Sequence, residues 1–227
     1  MSKISVDEVQ SRVASIVDQD ERTSQIPARD YALRLNFINK LMQKWAESHD
    51  WQVLYTEYNL LVSTSTGNAS IALPADFRKP AGAPVITYNG VDTYEFPITR
   101  PQDSRQYDDT YKRVEFLGNP QDNYVMRVCS QTLASGASVK IPYYMSFQSL
   151  VSPANLMEIP NPDYLVEGTI GMWWEAREDP RYIDKKVEAE RILANMIEFE
   201  NVFPDGAQYN RVKTIEETEF SYRWGED

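Results

Sequence analysis

Residues 27–58 read PARDYALRLNFINKLMQKWAESHDWQVLYTEY, and the hydrophobic period changes inside them. Up to Asp50 the apolar side chains recur every three or four residues. Leu33, Phe37, Leu41 and Trp45 take one side of a helix, and Tyr31, Leu35, Ile38 and Met42 fill the adjoining arc. Pro27 suits the first helical position, where a missing N–H costs nothing. The apolar arc spans about half the circumference, wider than the ~100° stripe of a surface helix. This helix is therefore expected to pack on two sides, within its own unit and against something else. From Trp51 the period drops to two, and the chain reads as strands.

Working outward, the N-terminal flank carries a first helix. Ser5 and Glu8 form a capping-box pattern, followed by Val6, Val9, Val13, Ile16 and Val17 at helical spacing. On the C-terminal flank, short alternating runs predict strands over 51–58, 60–64, 69–73, 84–88, 93–97, 111–117, 124–129 and 138–147. Asn89-Gly90 reads as a two-residue hairpin loop between Tyr88 and Val91. Helices return at Asn161-Pro162, an N-cap followed by proline at the first helical position. This third helix carries Leu165, Met172 and Trp173, with Gly168 and Gly171 inside it, which implies close approach by a neighbouring helix. Asp179-Pro180 starts a fourth, with Ile183, Val187, Ala189, Leu193, Ala194 and Ile197 on one broad face, ended by Pro204-Asp205-Gly206. The expected fold is α+β: a bundle of about four helices from both chain ends (1–50 and 155–206), with an antiparallel sandwich or open barrel inserted at 51–154. Residues 207–227 form an extended arm, in which Phe220, Tyr222 and Trp224 alternate as in a strand offering one face to a partner.

Composition narrows the function. Net charge is −11 and unevenly placed: 15 basic and 17 acidic side chains up to residue 150, against 8 and 17 afterwards. Such a surface repels nucleic acid. Cys129 is the single cysteine, so no internal disulfide forms. Residues 1–5 lack a signal-peptide layout, and no apolar run approaches the ~20 residues of a membrane span. His49 is the single histidine and stands at a helix end, where a cap is the expected role; one histidine and one cysteine cannot make a familiar zinc site, and a Cys129–His49 pair has no local signature of a thiol hydrolase. The nine glycines form no phosphate-cradling loop. Glu175, Glu178 and Asp179 cluster at a helix junction, where solvation and capping account for them. The inventory points away from an enzyme, and no cofactor is expected. A sugar- or protein-binding aromatic-rich sandwich stands as the alternative.

The order of parts carries a resemblance. A helical beginning ends in the Trp45–Trp51 junction. A β insert contains Ile71-Ala72-Leu73-Pro74-Ala75-Asp76-Phe77-Arg78, and Ile159-Pro160-Asn161-Pro162-Asp163-Tyr164-Leu165-Val166-Glu167-Gly168 opens the last two helices. This layout, over residues 27–203, resembles the head-to-tail adaptor (connector) proteins beneath the portal of tailed phages, the family that includes tail tubular protein A and the head-completion adaptors of short-tailed phages. The resemblance implies a virion protein of the neck, made in the host cytoplasm, in a homo-oligomeric ring of about twelve copies. It implies portal protein above, a tail or further neck protein below, double-stranded DNA passing non-specifically through the channel, and no membrane. On this reading Phe37, Leu41, Trp45 and Trp173 lie at a ring or domain interface, and Phe220, Tyr222 and Trp224 dock on the portal. The acidic surplus is expected to line the channel, where it would let DNA slide.

Overall fold

The computed structural model describes residues 2–17, 26–62, 66–67, 70–88, 92–99, 112–119, 123–129, 132–133 and 135–202. The chain begins with strand β1 (Ser2–Ser5), helices α1 (Val6–Val17) and α2 (Ala28–Ser48), and a 3₁₀ turn at Gln52–Leu54. Seven strands follow: β2 (Tyr55–Leu61), β3 (Thr66–Gly67), β4 (Ser70–Ala72), β5 (Phe77–Pro80), β6 (Val85–Tyr88), β7 (Asp92–Glu95) and β8 (Ile98–Thr99). The chain continues through β9 (Arg113–Asn119), β10 (Asn123–Cys129), β11 (Thr132–Leu133), β12 (Ser138–Met145) and β13 (Leu156–Ile159). It ends the described part with α3 (Asp163–Glu175) and α4 (Tyr182–Val202). The fold is α+β. It divides into a helical unit, Met1–Val53 with Ser149–Asp227, and a β unit, Leu54–Gln148.

In the helical unit α3 is the central element. Tyr164, Leu165, Val166, Gly168, Thr169, Ile170, Gly171 and Trp173 are all buried, and α1, α2 and α4 all pack against it. The glycines permit this approach. A Cβ on Gly168 would stand 2.8 Å from both branch carbons of Leu41 on α2, and one on Gly171 would stand 3.2 Å from the backbone nitrogen of Lys186 on α4. The caps read from sequence are present in part. The Ser5 hydroxyl accepts from the Glu8 N–H at 3.1 Å, but the Glu8 carboxylate accepts from Arg12 instead of returning to Ser5. Pro162 has helical dihedrals (φ −69°, ψ −16°), and the Asn161 side chain accepts from the Asp163 N–H. The Asp179 carboxylate accepts from the Arg181 N–H just ahead of α4.

The unit boundaries differ from expectation on both flanks. Residues 51–53 stay with the helices, because Trp51 stacks on Trp45 at 5.0 Å and the Gln52 N–H donates to the buried Glu200 carboxylate. Residues 149–154 do so as well. The Asn39 side chain exchanges hydrogen bonds with Leu150, while Pro153 and Asn155 accept from the first N–H groups of α1. The strands β1 and β13 form an antiparallel ribbon in this unit, from Ser2↔Ile159 to Ser5↔Leu156. Four residues each are too few for a period to register in sequence.

The β unit contains two open sheets rather than a closed barrel. One runs β2-β12-β6-β7, with β5 also beside β12; the other runs β4-β10-β9-β8. Pairing in both is antiparallel except β8 with β9, and β3 pairs with β11 apart from them. Ile86, Val139 and Ile141 of the first sheet share one core with Ile71, Val114, Met126 and Val128 of the second. The β6–β7 hairpin ends on the pair Tyr88↔Asp92 instead of Tyr88↔Val91, one residue longer than a two-residue loop allows; Asn89 and Gly90 lie outside the described residues. The Leu73-Pro74-Ala75-Asp76-Phe77 segment carries the chain from one sheet to the other. Phe77 N–H donates to Pro74, Ser146 N–H donates to the Asp76 carbonyl, and the Tyr143 hydroxyl donates to the Asp76 carboxylate at 3.0 Å. The Phe77 ring then lies 5.2–5.5 Å from those of Tyr124, Tyr143 and Phe116. Burial, and next the Asp76 carboxylate, push the Tyr143 phenol up to about 12.

Two outcomes follow from this packing. Gly168→Ala is expected to lower stability by roughly 1–2 kcal/mol in chemical denaturation, because overpacking outweighs the gain in helix propensity. In a Leu41→Ala background the same change should stabilise, since the obstructing carbons are gone. The second concerns Tyr143, whose folded pKa lies above the unfolded value near 10. The folded state therefore binds more protons between pH 10 and 12, and stability from this group is complete below pH 10 and lost as pH rises through 12. Urea midpoints should show the wild-type protein losing roughly 2 kcal/mol relative to Tyr143→Phe across that window; parallel curves would contradict the assignment.

Candidate assembly surfaces

The side chains assigned to a ring or domain interface occupy the interior of the helical unit. Phe37, Leu41, Trp45 and Trp173 are all buried, at 1–8 % exposure. The wide arc of α2 explains itself locally. Its buried residues are Arg34, Phe37, Ile38, Leu41, Met42, Trp45 and Ala46, which span about half a turn of circumference and meet α1 and α3. The assignment to a neighbouring subunit is thus corrected: α2 packs on two sides, but both sides are within its own unit. Leu33 stands partly outside, while Arg34, polar by residue type, is wholly buried. Its guanidinium lies 4.2 Å from the Trp173 ring centre, and that of Arg177 lies 3.5 Å from the same ring. An indole face stabilises a desolvated guanidinium by up to ~2 kcal/mol, which is how a cation enters this core.

The junction after α2 is also internal. The Trp51 indole N–H donates to the Trp45 carbonyl at 2.6 Å, and His49 meets the Trp51 ring edge-on at 5.1 Å. His49 therefore sits in an aromatic corner, and it belongs to a different compact unit from Cys129. Cys129 is buried beside Arg113, Glu115 and Arg127. Burial first, and then Glu115, hold its thiol above the ordinary range, opposite to what a reactive thiolate needs. Glu115 is itself wholly buried and accepts from Arg127, with Arg113 3.5 Å away on its other oxygen. Such a cluster joins β9 to β10 on one face of the sheet.

Among the described residues several carboxylates of the C-terminal part are ion-paired, while the excess of acid over base remains. Asp163 meets Arg12, Glu167 meets Lys185, Glu175 meets Lys186, Glu188 meets Arg191 and Glu190 meets Lys44. Asp179 is held below the usual carboxylate range by its hydrogen bonds from Arg181. Glu178, Asp184 and Glu198 stay exposed. The Glu175, Glu178 and Asp179 cluster is thus a capped and ion-paired helix corner, where Glu178 takes a left-handed turn (φ 57°). Among the described residues no group of three or more His, Cys, Asp or Glu could hold a metal, and no helix is long and apolar enough to cross a membrane.

Outward apolar groups do exist. On α4 the residues facing inward are Ala189, Ile192, Leu193 and Met196, whereas Ile183 and Val187 are 52 % and 64 % exposed. The broad face read from sequence therefore splits in two, because the helix alternates between a core stripe and an apolar outer stripe. Val151 and Leu156 add exposed apolar area to the same unit. A groove of about 410 Å³ runs along the polar side of α2 between Lys40, Gln43, Lys44, Glu47 and Ser48. Phe220, Tyr222 and Trp224, the portal-docking residues of the sequence reading, lie outside the described residues. A scan against protein-family models finds no match for the chain, and a search of curated proteins finds none.

The separation of core from surface is measurable. Phe37→Ala is expected to cost about 3–5 kcal/mol of stability. Ile183→Asp combined with Val187→Asp should stay within roughly 1 kcal/mol of wild type. Comparable losses from both would mean that the outer stripe of α4 is covered in solution.

Proposed function

We propose that the chain is a non-enzymatic structural protein of a tailed bacteriophage, a subunit of the ring beneath the portal that joins head to tail and lets double-stranded DNA pass. One observation carries this reading: a helical unit built from both chain ends around an inserted β unit, the order of parts that the adaptor resemblance requires. The partners on this reading are the portal, a tail or further neck protein, and further copies of the chain, about twelve in the ring. DNA is met non-specifically and no cofactor takes part. Ring contacts fall to outward groups such as Ile183 and Val187, since Phe37, Leu41, Trp45 and Trp173 are spent within the subunit. Among the described residues, exposed Glu178, Asp184 and Glu198 are carboxylates that can give a DNA channel a repulsive lining.

The alternative, a carbohydrate- or protein-binding sandwich, drew on the aromatic content of the β region. Phe77 and Tyr143 are buried, and Phe116 and Tyr124 pack on them, so part of that content is accounted for by the core. The residues 207–227, with Phe220, Tyr222 and Trp224 at alternate positions, supply the segment for portal attachment. The test is a binding assay with purified portal, read together with negative-stain images of the mixture. Full-length protein is expected to bind and form rings. Removal of residues 207–227 should leave the fold intact and weaken attachment, and Trp224→Ala should weaken it by about 30-fold, the ~2 kcal/mol of an interfacial hot spot. A full-length protein that neither binds portal nor forms rings would refute the reading.

A further inference from the structure

The strand β2 ends the five-stranded sheet. It pairs with β12 through all seven residues, from Tyr55↔Tyr144 to Leu61↔Ser138, and among the described residues no strand lies on its other side. Pro142 reveals which way its backbone groups point. The Pro142 carbonyl accepts from the Ala81 N–H at 2.9 Å, away from β2, so Glu57↔Pro142 is a pair without mutual hydrogen bonds. Alternation then turns the N–H and C=O groups of Thr56, Tyr58 and Leu60 toward β12. Val62 continues the series, donating to Ala137 and accepting from Gly136 at 2.8 Å each. Tyr55, Glu57, Asn59 and Leu61 turn theirs outward.

Exposed edges of this kind are usually blunted by proline, lysine or a bulge. The β2 sequence YTEYNLL has no proline and no lysine, and its register against β12 is unbroken. Its one charge, Glu57, is already engaged by Lys140 at 2.8 Å and by the Tyr55 hydroxyl at 3.0 Å. The outer face ends on Leu61, 68 % exposed, the most exposed large apolar side chain described in the β unit.

We propose that this edge is closed by the same edge of a second copy, in an antiparallel two-fold pairing centred on Tyr58. Outward groups belong to odd-numbered residues, so mutual hydrogen bonds must join odd to odd. Centring on Tyr58 joins Tyr55 to Leu61 of the second copy and Glu57 to Asn59 of the second copy, each twice by symmetry. Every outward N–H and C=O of the four residues then has a partner. On the solvent face, ring meets Leu61 and carboxylate meets carboxamide. A register centred on Glu57 would set two carboxylates directly opposite, which is destabilising. One centred on Asn59 would leave Tyr55 without a partner among the β2 residues. The strand is thus complementary to itself in one register, which selects a second copy over an unrelated peptide. A two-fold pair turns one copy over relative to the other and so cannot join neighbours of a ring with portal on one side and tail on the other; it is a state of the free protein and does not rest on the neck reading.

The experiment is sedimentation velocity of the full-length protein over a concentration series, with hydrogen exchange read at the β2 amides. A species of twice 26.2 kDa is expected to grow with concentration, with slowed exchange at Glu57 and Asn59. Asn59→Glu puts a carboxylate opposite each Glu57 and should weaken association roughly tenfold, whereas Asn59→Lys puts opposite charges there and should tighten it by a similar factor. Asn59 is exposed, and melting curves verify that both variants keep the fold. Identical association of the two variants would overturn the proposal, as would edge amides that exchange at one rate at every concentration. Assembly through another face leaves the variants alike, and protection that appears only on adding an extended peptide assigns the edge to a different chain.

Discussion

An α-helix that buries most of its circumference can persist only if other elements enclose it, and α3 is such a helix. Three helices must reach it at once. Side chains of ordinary size would hold them off, and Gly168 and Gly171 remove that obstacle on the sides facing Leu41 and Lys186. Because α1 and α2 precede the β unit and α4 follows α3, enclosing α3 obliges the chain ends to come together. The β unit then leaves and returns through anchored points. Trp51 on Trp45 and Gln52 on Glu200 fix the exit, and Asn39 on Leu150 fixes the return. Anchoring both ends of the insert lowers the entropy cost of closing so long an interruption.

The β unit meets the same demand, burial of apolar faces, by a different route. Two open sheets share a core, and the chain crosses between them at Pro74–Phe77. A crossing of this kind exposes backbone polar groups; here the Pro74 and Asp76 carbonyls accept from the Phe77 and Ser146 N–H groups, and the Asp76 carboxylate accepts from the Tyr143 hydroxyl. The Leu73-Pro74-Ala75-Asp76-Phe77 pattern, which supports the adaptor resemblance, therefore has a structural cause independent of any partner. Open sheets leave edges, and among the described residues β2 is a long edge with no strand on its outer side.

Several carboxylates in the last third of the chain are paired with lysines and arginines of the helical unit, and the net acidic balance remains on top of those pairs. Four charged side chains are buried among the described residues: Arg34 lies against an indole face, Glu115 lies against the guanidinium groups of Arg113 and Arg127, and Glu200 accepts from the Gln52 N–H. What the molecule offers outward is apolar helix surface and a strand edge, both suited to contacts with protein.

Much of the architecture was legible in the sequence because it depends on local periods. The change from 3.6 to 2 just after Trp51 and the proline-marked starts of α3 and α4 act through neighbouring residues, while the glycine pair within α3 is visible in sequence as a tolerance for close approach. The helix–β–helix order follows from them. What the sequence left open depends on which faces meet. The arc of α2 has the same width whether it packs on its own chain or on a neighbour, so Phe37, Leu41, Trp45 and Trp173 read equally well as interface or core. The face of α4 looks single in one dimension and divides only when α3 claims one stripe and solvent the other. The four-residue strands β1 and β13 are too short to show a period, and become strands only because they find each other across more than 150 residues. Local periodicity determined by itself that helices would flank strands. Packing between distant segments decided which apolar groups were consumed inside the chain and which, such as Ile183, Val187 and Leu61, were left for others, because burial is settled by the partner a face meets and not by the residue that bears it.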